Sequence, residues 1–128
     1  MGYCMDLTEN KFKIKKENEV NVLKALKDFA EENTQLRWVD SVVILEANDV
    51  FSAFEEIRYP LEIDANGDLV LEYFSGEKLG DDKLILNSIA KYVEPNSYLQ
   101  FSGEDGEIFR YVFNGETCEE KAPKISWE

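Results

Sequence analysis

The chain has 128 residues, with 27 acids against 14 bases, no histidine and a net charge of −13. Direct nucleic-acid binding is disfavoured, because phosphates need clustered Lys and Arg. The lack of histidine excludes Ser–His and Cys–His nucleophile pairs and His-ligated zinc.

A hydrophobic content of 44% argues for a folded chain, and the length predicts a single domain over 1–128. No apolar run is long enough to span a bilayer. Met1-Gly2-Tyr3-Cys4-Met5-Asp6 has neither the basic nor the apolar region of a secretory signal, so the expected location is cytoplasmic. Cys4 and Cys118 lie near opposite ends and are expected to be free thiols there.

Residues 1–9 read as a lead-in. Lys11 to Lys15 alternates, with Phe12 and Ile14 on one face, and predicts a half-buried strand. Asn18 stands at the cap position of a helix over Glu19–Glu32, whose stripe is Val22, Leu26, Phe29 and Ala30 with Leu23 beside it. Leu36 to Val39 reads as a short extended segment. Ser41 to Leu45, with four apolar residues in a row, fits a strand or a helix start. Asn48 or Asp49 caps a second helix over about Val50–Arg58, ended by Pro60.

Leu61–Asp64 and Asp68–Phe74 flank Asn66-Gly67, a two-residue hairpin signal, because both residues tolerate positive φ. Leu69, Leu71 and Tyr73 fall on one face of the return strand, Val70 and Phe74 on the other. Gly76 to Asp82 is a turn, and Asp81 or Asp82 caps a third helix over Lys83–Val93. Its stripe is Ile85, Ile89 and Val93, widened by Leu86 and Ala90. Tyr98–Ser102 and Glu107–Phe113 form a second hairpin around Gly103-Glu104-Asp105-Gly106. Phe109, Tyr111 and Phe113 share one face, Ile108, Arg110 and Val112 the other. A last edge strand is expected within Thr117–Trp127, interrupted by Pro123. The fold class is α+β: an antiparallel sheet of about five to seven strands with three helices packed mainly on one face.

Asp64, Asn66 and Asp68 have the first three spacings of a calcium loop, but Ser75 stands where the twelfth-position Glu belongs. A hairpin turn explains the same residues. Phe-Ser-Gly-Glu occurs at Phe74–Glu77 and at Phe101–Glu104; no wider period supports a repeat, and chance accounts for it. Arg37, Arg110, Trp38 and Trp127 read as packing or internal pairing more than binding. No catalytic set, metal site or cofactor motif emerges.

Gly2-Tyr3-Cys4-Met5, Phe12-Lys13-Ile14, the run Gly76 to Asp82, and Ser102 to Gly106 leading to Arg110-Tyr111-Val112-Phe113 resemble a group of small acidic proteins of Gram-positive bacteria and their phages. The resemblance covers most of the chain and carries no established activity. It implies an accessory or mobile-element context. At class level it implies similarity to immunity proteins and to phage inhibitors of nucleic-acid-handling defence enzymes.

Solubility accounts for the net charge, and a basic partner accounts for it too. The leading expectation is a non-enzymatic acidic protein that docks on a basic protein surface. Its candidate residues are Glu77, Asp81, Asp82, Glu104 and Asp105, with Glu116, Glu119 and Glu120 behind them. A homo-oligomer formed through a sheet face bearing Val70, Phe74, Ile108 and Val112 is the alternative, followed by a carboxylate metal enzyme.

Overall fold

The computed structural model describes residues 4–123. In chain order it has β1 (Met5–Lys11), β2 (Lys13–Ile14), α1 (Glu19–Glu32), α2 (Ser41–Glu46) and α3 (Val50–Glu56). Then come β3 (Leu61–Ile63), β4 (Leu69–Leu71), α4 (Asp82–Ile89), β5 (Tyr98–Gly103), β6 (Ile108–Phe113) and β7 (Cys118–Lys121). Single 3-10 turns precede α1 and follow α4. No helix among the described residues is long and apolar enough to cross a membrane.

The strands form two antiparallel sheets, ordered β1-β5-β6-β7 and β2-β4-β3, where the sequence suggested one. Phe12 is the reason. Lys11 pairs with Tyr98 in the first sheet and Lys13 with Val70 in the second. The chain changes sheets at Phe12, which turns inward against Phe54 and Phe113 at centroid distances of 6.4 and 5.4 Å. A chain that leaves one sheet for another at a buried aromatic closes the space between them without a loop. The strand expected over Lys11–Lys15 is therefore two strands.

Residues 5–11 are a strand and not a lead-in. Only Met5 and Leu7 among them are apolar, so local pattern carries little signal. The pairing is supplied by β5, as in Leu7 opposite Phe101, with a register shift at Thr8. The return strand of the first hairpin is also shorter than expected, ending at Leu71. Tyr73 is exposed, and Phe74 turns inward onto Tyr59.

Among the described residues the helices number four, because Ser41–Glu46 is helical. Asp40 caps it, accepting from the Val42 N–H at 3.0 Å, and Ser41 and Ile44 face the core. Trp38 lies in a turn before it, not in an extended segment. α1 buries Val22, Leu26 and Ala30 as its stripe predicts, but Asn18 makes no side-chain cap. Asp49 does cap α3, accepting from Ser52 N–H at 2.8 Å. In the first hairpin, Asp64 accepts from the backbone N–H groups of Asn66 and Asp68 at 2.9 and 3.0 Å, which is the turn reading. Desolvation raises the Asp64 carboxyl, but those two N–H groups and the Lys13 ammonium together outweigh it and hold the group below its ordinary value.

α3 ends two residues before the expected position, in a Schellman motif. Tyr59 N–H donates to Phe54 O at 2.9 Å and Arg58 N–H to Glu55 O at 3.1 Å. The left-handed position of that motif usually belongs to glycine, yet Arg58 occupies it at φ 78°. Its guanidinium explains the choice. Nη2 meets the Asp82 carboxylate at 2.6 Å, and Nη1 donates to Lys78 O at 2.5 Å. Asp82 is 1% exposed and also accepts from Tyr59 Oη at 2.7 Å and Gly80 N–H at 2.7 Å. The guanidinium lies 5.3 Å from the Phe74 ring centroid. Burial, then the Asp82 charge, pushes the Tyr59 hydroxyl well above its usual pKa, so it stays a donor.

Magnitudes decide what Arg58 is for. A non-glycine residue in the left-handed region costs about 1–2 kcal/mol. Leaving a buried carboxylate without its partner costs about 3–5 kcal/mol. Arg58→Gly relieves the first and incurs the second. It is expected to lower unfolding free energy in urea by roughly 2 kcal/mol. A variant as stable as the parent would show that the backbone, and not the ion pair, dominates this corner.

Candidate functional site

The Arg58–Asp82 pair organises the surface above it. The loop 75–81 runs from the end of the first hairpin to the start of α4 and is drawn onto the pair: Lys78 O accepts from Arg58, and Gly80 N–H donates to Asp82. Two glycines let it approach. A Cβ on Gly76 would stand 2.7 Å from Arg58 Nη1 and 2.8 Å from the Phe74 ring. A Cβ on Gly80 would stand 2.9 Å from both Arg37 Cβ and Trp38 Cδ1. The segment before α2 therefore rests directly on the loop backbone, and Arg37 N–H donates to the Asp81 carboxylate at 2.7 Å.

Trp38 results from this contact. It has φ 69° and leaves its side chain 54% exposed. A bulky residue at positive φ is a backbone outlier, and such strain concentrates at functional sites. Trp38 and Arg58, both at positive φ, line one groove of about 440 Å³ with Gly76, Glu77 and Lys78. The sequence offered no signal for Arg58, and Trp38 read there as packing.

The expected acidic residues separate into three settings. Glu77 and Glu104 come together around the start of β1. Met5 N–H donates to Glu77 O at 2.7 Å, and Cys4 N–H donates to the Glu104 carboxylate. The two Phe-Ser-Gly-Glu segments are thus neighbours, with Phe74 and Phe101 packed edge to face at 5.4 Å. They are not a structural repeat, since Phe101–Gly103 is strand and Phe74–Gly76 is not. Asp105 is exposed at the tip of the β5–β6 turn beside Glu104. Asp81 is half-buried and bonded to Arg37 N–H.

Asp82 requires a correction. The sequence places it with the surface acids, but its carboxylate is buried and consumed by Arg58, Tyr59 and Gly80. Glu116, Glu119 and Glu120 belong to the β6–β7 turn and to β7. That turn and the β5–β6 turn leave opposite ends of β6, so Glu116 stands away from Glu104 and Asp105, while Glu119 and Glu120 lie along β7 opposite Val112 and Tyr111. Glu119 is further engaged with Asn114 Nδ2 at 2.8 Å and Lys121 Nζ at 3.7 Å.

Among the described residues, no group of three or more Cys, Asp or Glu side chains is placed to hold a metal ion. Arg110 is internally occupied. It lies 4.1 Å from the Tyr98 ring centroid, donates through Nε to Gln100 at 2.9 Å and pairs with Glu9 at 3.6 Å. Of the apolar residues assigned to a second sheet face, Ile108 is exposed while Phe74 packs inward. Trp127 lies outside the described residues.

Comparisons with protein-family models, with curated proteins and with solved structures give no match.

The thiols report on this geometry. Cys118 is buried, and desolvation pushes its thiol up to about 12. Cys4 is exposed, although desolvation and then the Glu104 and Glu77 carboxylates raise its thiol also. With Ellman's reagent, native protein is expected to react at Cys4 alone, and at Cys118 only after unfolding. Glu104→Gln should accelerate the native reaction, because a thiolate then forms beside one fewer negative charge. Fast reaction of both thiols in native protein, or no effect of Glu104→Gln, would contradict the arrangement.

Proposed function

We propose that this protein is a non-enzymatic acidic binding module that docks on a basic surface of a partner protein. The observation that carries the reading is Trp38, an exposed indole held at φ 69° in the segment that packs against the loop presenting Glu77. Tryptophan is enriched among residues that dominate binding energy, above all when its own entropy is already spent. Here Gly80 and the Asp81–Arg37 hydrogen bond restrain it before any partner arrives.

Glu77, Glu104 and Asp105 supply negative charge on the loops around the start of β1. Such a field accelerates encounter with a cationic surface and sets its orientation, while the indole supplies the desolvated contact. Asp81 and Asp82 serve a different purpose in this reading: they position the loop. The resemblance to immunity proteins and phage inhibitors adds a target class, a toxin or a nucleic-acid-handling enzyme whose basic groove is blocked.

The test uses immobilised protein and a lysate of its source organism, washed at low and high salt, with bound proteins identified by mass spectrometry. A basic protein captured by the parent should be lost at high salt. Trp38→Ala should weaken the purified complex by about 30-fold or more. Glu77→Lys/Glu104→Lys/Asp105→Lys should slow association, while Glu116→Lys/Glu119→Lys/Glu120→Lys should leave it nearly unchanged. Capture indifferent to Trp38 and to the first charge set, or equally sensitive to both sets, would sink the reading.

A further inference from the structure

A second surface is formed by residues that do not line the Trp38 groove. In α2, Ser41 and Ile44 face inward, and Ala47 just after it is also buried. The other apolar residues face out: Val42 is 56%, Val43 43% and Leu45 36% exposed. Six residues are too few for a helix to hold by propensity, and β-branched valines are poor formers of exposed helix. The Asp40 cap, the Ser41 Oγ bond to Asn33 O and buried Ile44 hold α2 in place. None of these needs Val42, Val43 or Leu45. Three apolar side chains left 36% to 56% exposed on one short helix break the local rule that surface positions be polar.

The surroundings define what fits there. Residues 31–56 carry Glu31, Glu32, Asp40, Glu46, Asp49, Glu55 and Glu56, with Arg37 as the only base. Ser41 Oγ bonded to Asn33 O brings the acidic end of α1 to the start of α2, and Asp40 N–H bonded to the Glu56 carboxylate at 2.8 Å brings the end of α3 beside it. A second copy of this chain would set one acidic rim against another, which disfavours self-docking. We infer that the α2 face binds a cationic amphipathic helix of another protein. Leucine-type side chains would cover Val42, Val43 and Leu45, and Lys or Arg at the stripe's borders would meet the acidic rim. This inference shares with the proposed function only the sign of the partner's charge; the surface and the partner's structure are its own.

The probe is a synthetic Leu/Lys amphipathic helical peptide, with a scrambled peptide of the same composition as control. Binding to the full chain is followed by amide chemical-shift mapping and fluorescence anisotropy. The expected result is saturable perturbation centred on residues 40–49 and stronger binding of the amphipathic than of the scrambled peptide. Val42→Ser/Val43→Ser/Leu45→Ser, which removes no buried side chain, should weaken binding by about tenfold or more, and Trp38→Ala should not. Perturbation centred elsewhere, equal binding of the scrambled peptide, or full affinity in the triple variant would overturn the inference. So would a dimer in sedimentation equilibrium that the triple variant abolishes, because the face would then be a contact between copies. Loss of this binding with Trp38-dependent capture intact would leave the proposed function standing.

Discussion

The ion pair between Arg58 and Asp82 is the constraint on which the upper half of the molecule depends. It joins three pieces that share no secondary structure: the end of α3, the loop 75–81 and the first turn of α4. Each group in it is over-determined. Asp82 takes hydrogen bonds from Arg58, Tyr59 and the Gly80 backbone, and the guanidinium also reaches Lys78 O. Only the Arg58 Nε lacks a partner among the buried side-chain atoms described. A buried ion pair is weak evidence for net stability, since desolvation of both charges offsets most of their attraction. What it supplies here is position. The left-handed backbone at Arg58 and the close approach at Gly76 make sense only if the guanidinium must stand where it does.

Position passes outward from there. The loop held by Asp82 presents Gly80 to the Arg37–Trp38 segment and the Glu77 carbonyl to β1. The strained, exposed Trp38 thus rests on that loop, and Met5 at the start of β1 donates its N–H to Glu77 O. A short chain of contacts links a buried charge pair to an exposed indole and to the acidic loops near Cys4. The net charge of −13 does not gather into one face. It leaves acids at opposite ends of β6 and around α2, so patch geometry, more than total charge, has to account for selectivity.

Much of the fold was legible in the sequence because its signals are local. The Val22–Leu26–Ala30 stripe, the Asn66-Gly67 turn, the Gly103–Gly106 turn and the alternation of Phe109, Tyr111 and Phe113 each depend on residues a few positions apart. β1 was not legible, since its pairing partner lies about ninety positions away and most of its own side chains are polar. The split into two sheets rests on one residue, Phe12, whose alternation looks the same on either side of the switch. α2 was ambiguous because its outward face is apolar, which erases the helical period. The candidate site was the least legible part. Acidic residues in turns were visible, but burial of Asp82 depends on Arg58, and neither residue carries a pattern that announces the other across 24 positions.

The central claim is that the buried pair holds the Trp38 segment in place through the loop. Hydrogen–deuterium exchange on Asp82→Asn tests it most directly. The decisive amide is that of Arg37, which bonds to Asp81 and not to Asp82. The account predicts that Arg37 loses protection together with Ser75 and Gly80, whose N–H groups bond to Arg58 O and Asp82, while the β5–β6 amides keep theirs. Unchanged protection at Arg37, or an even loss across both sheets, would contradict it.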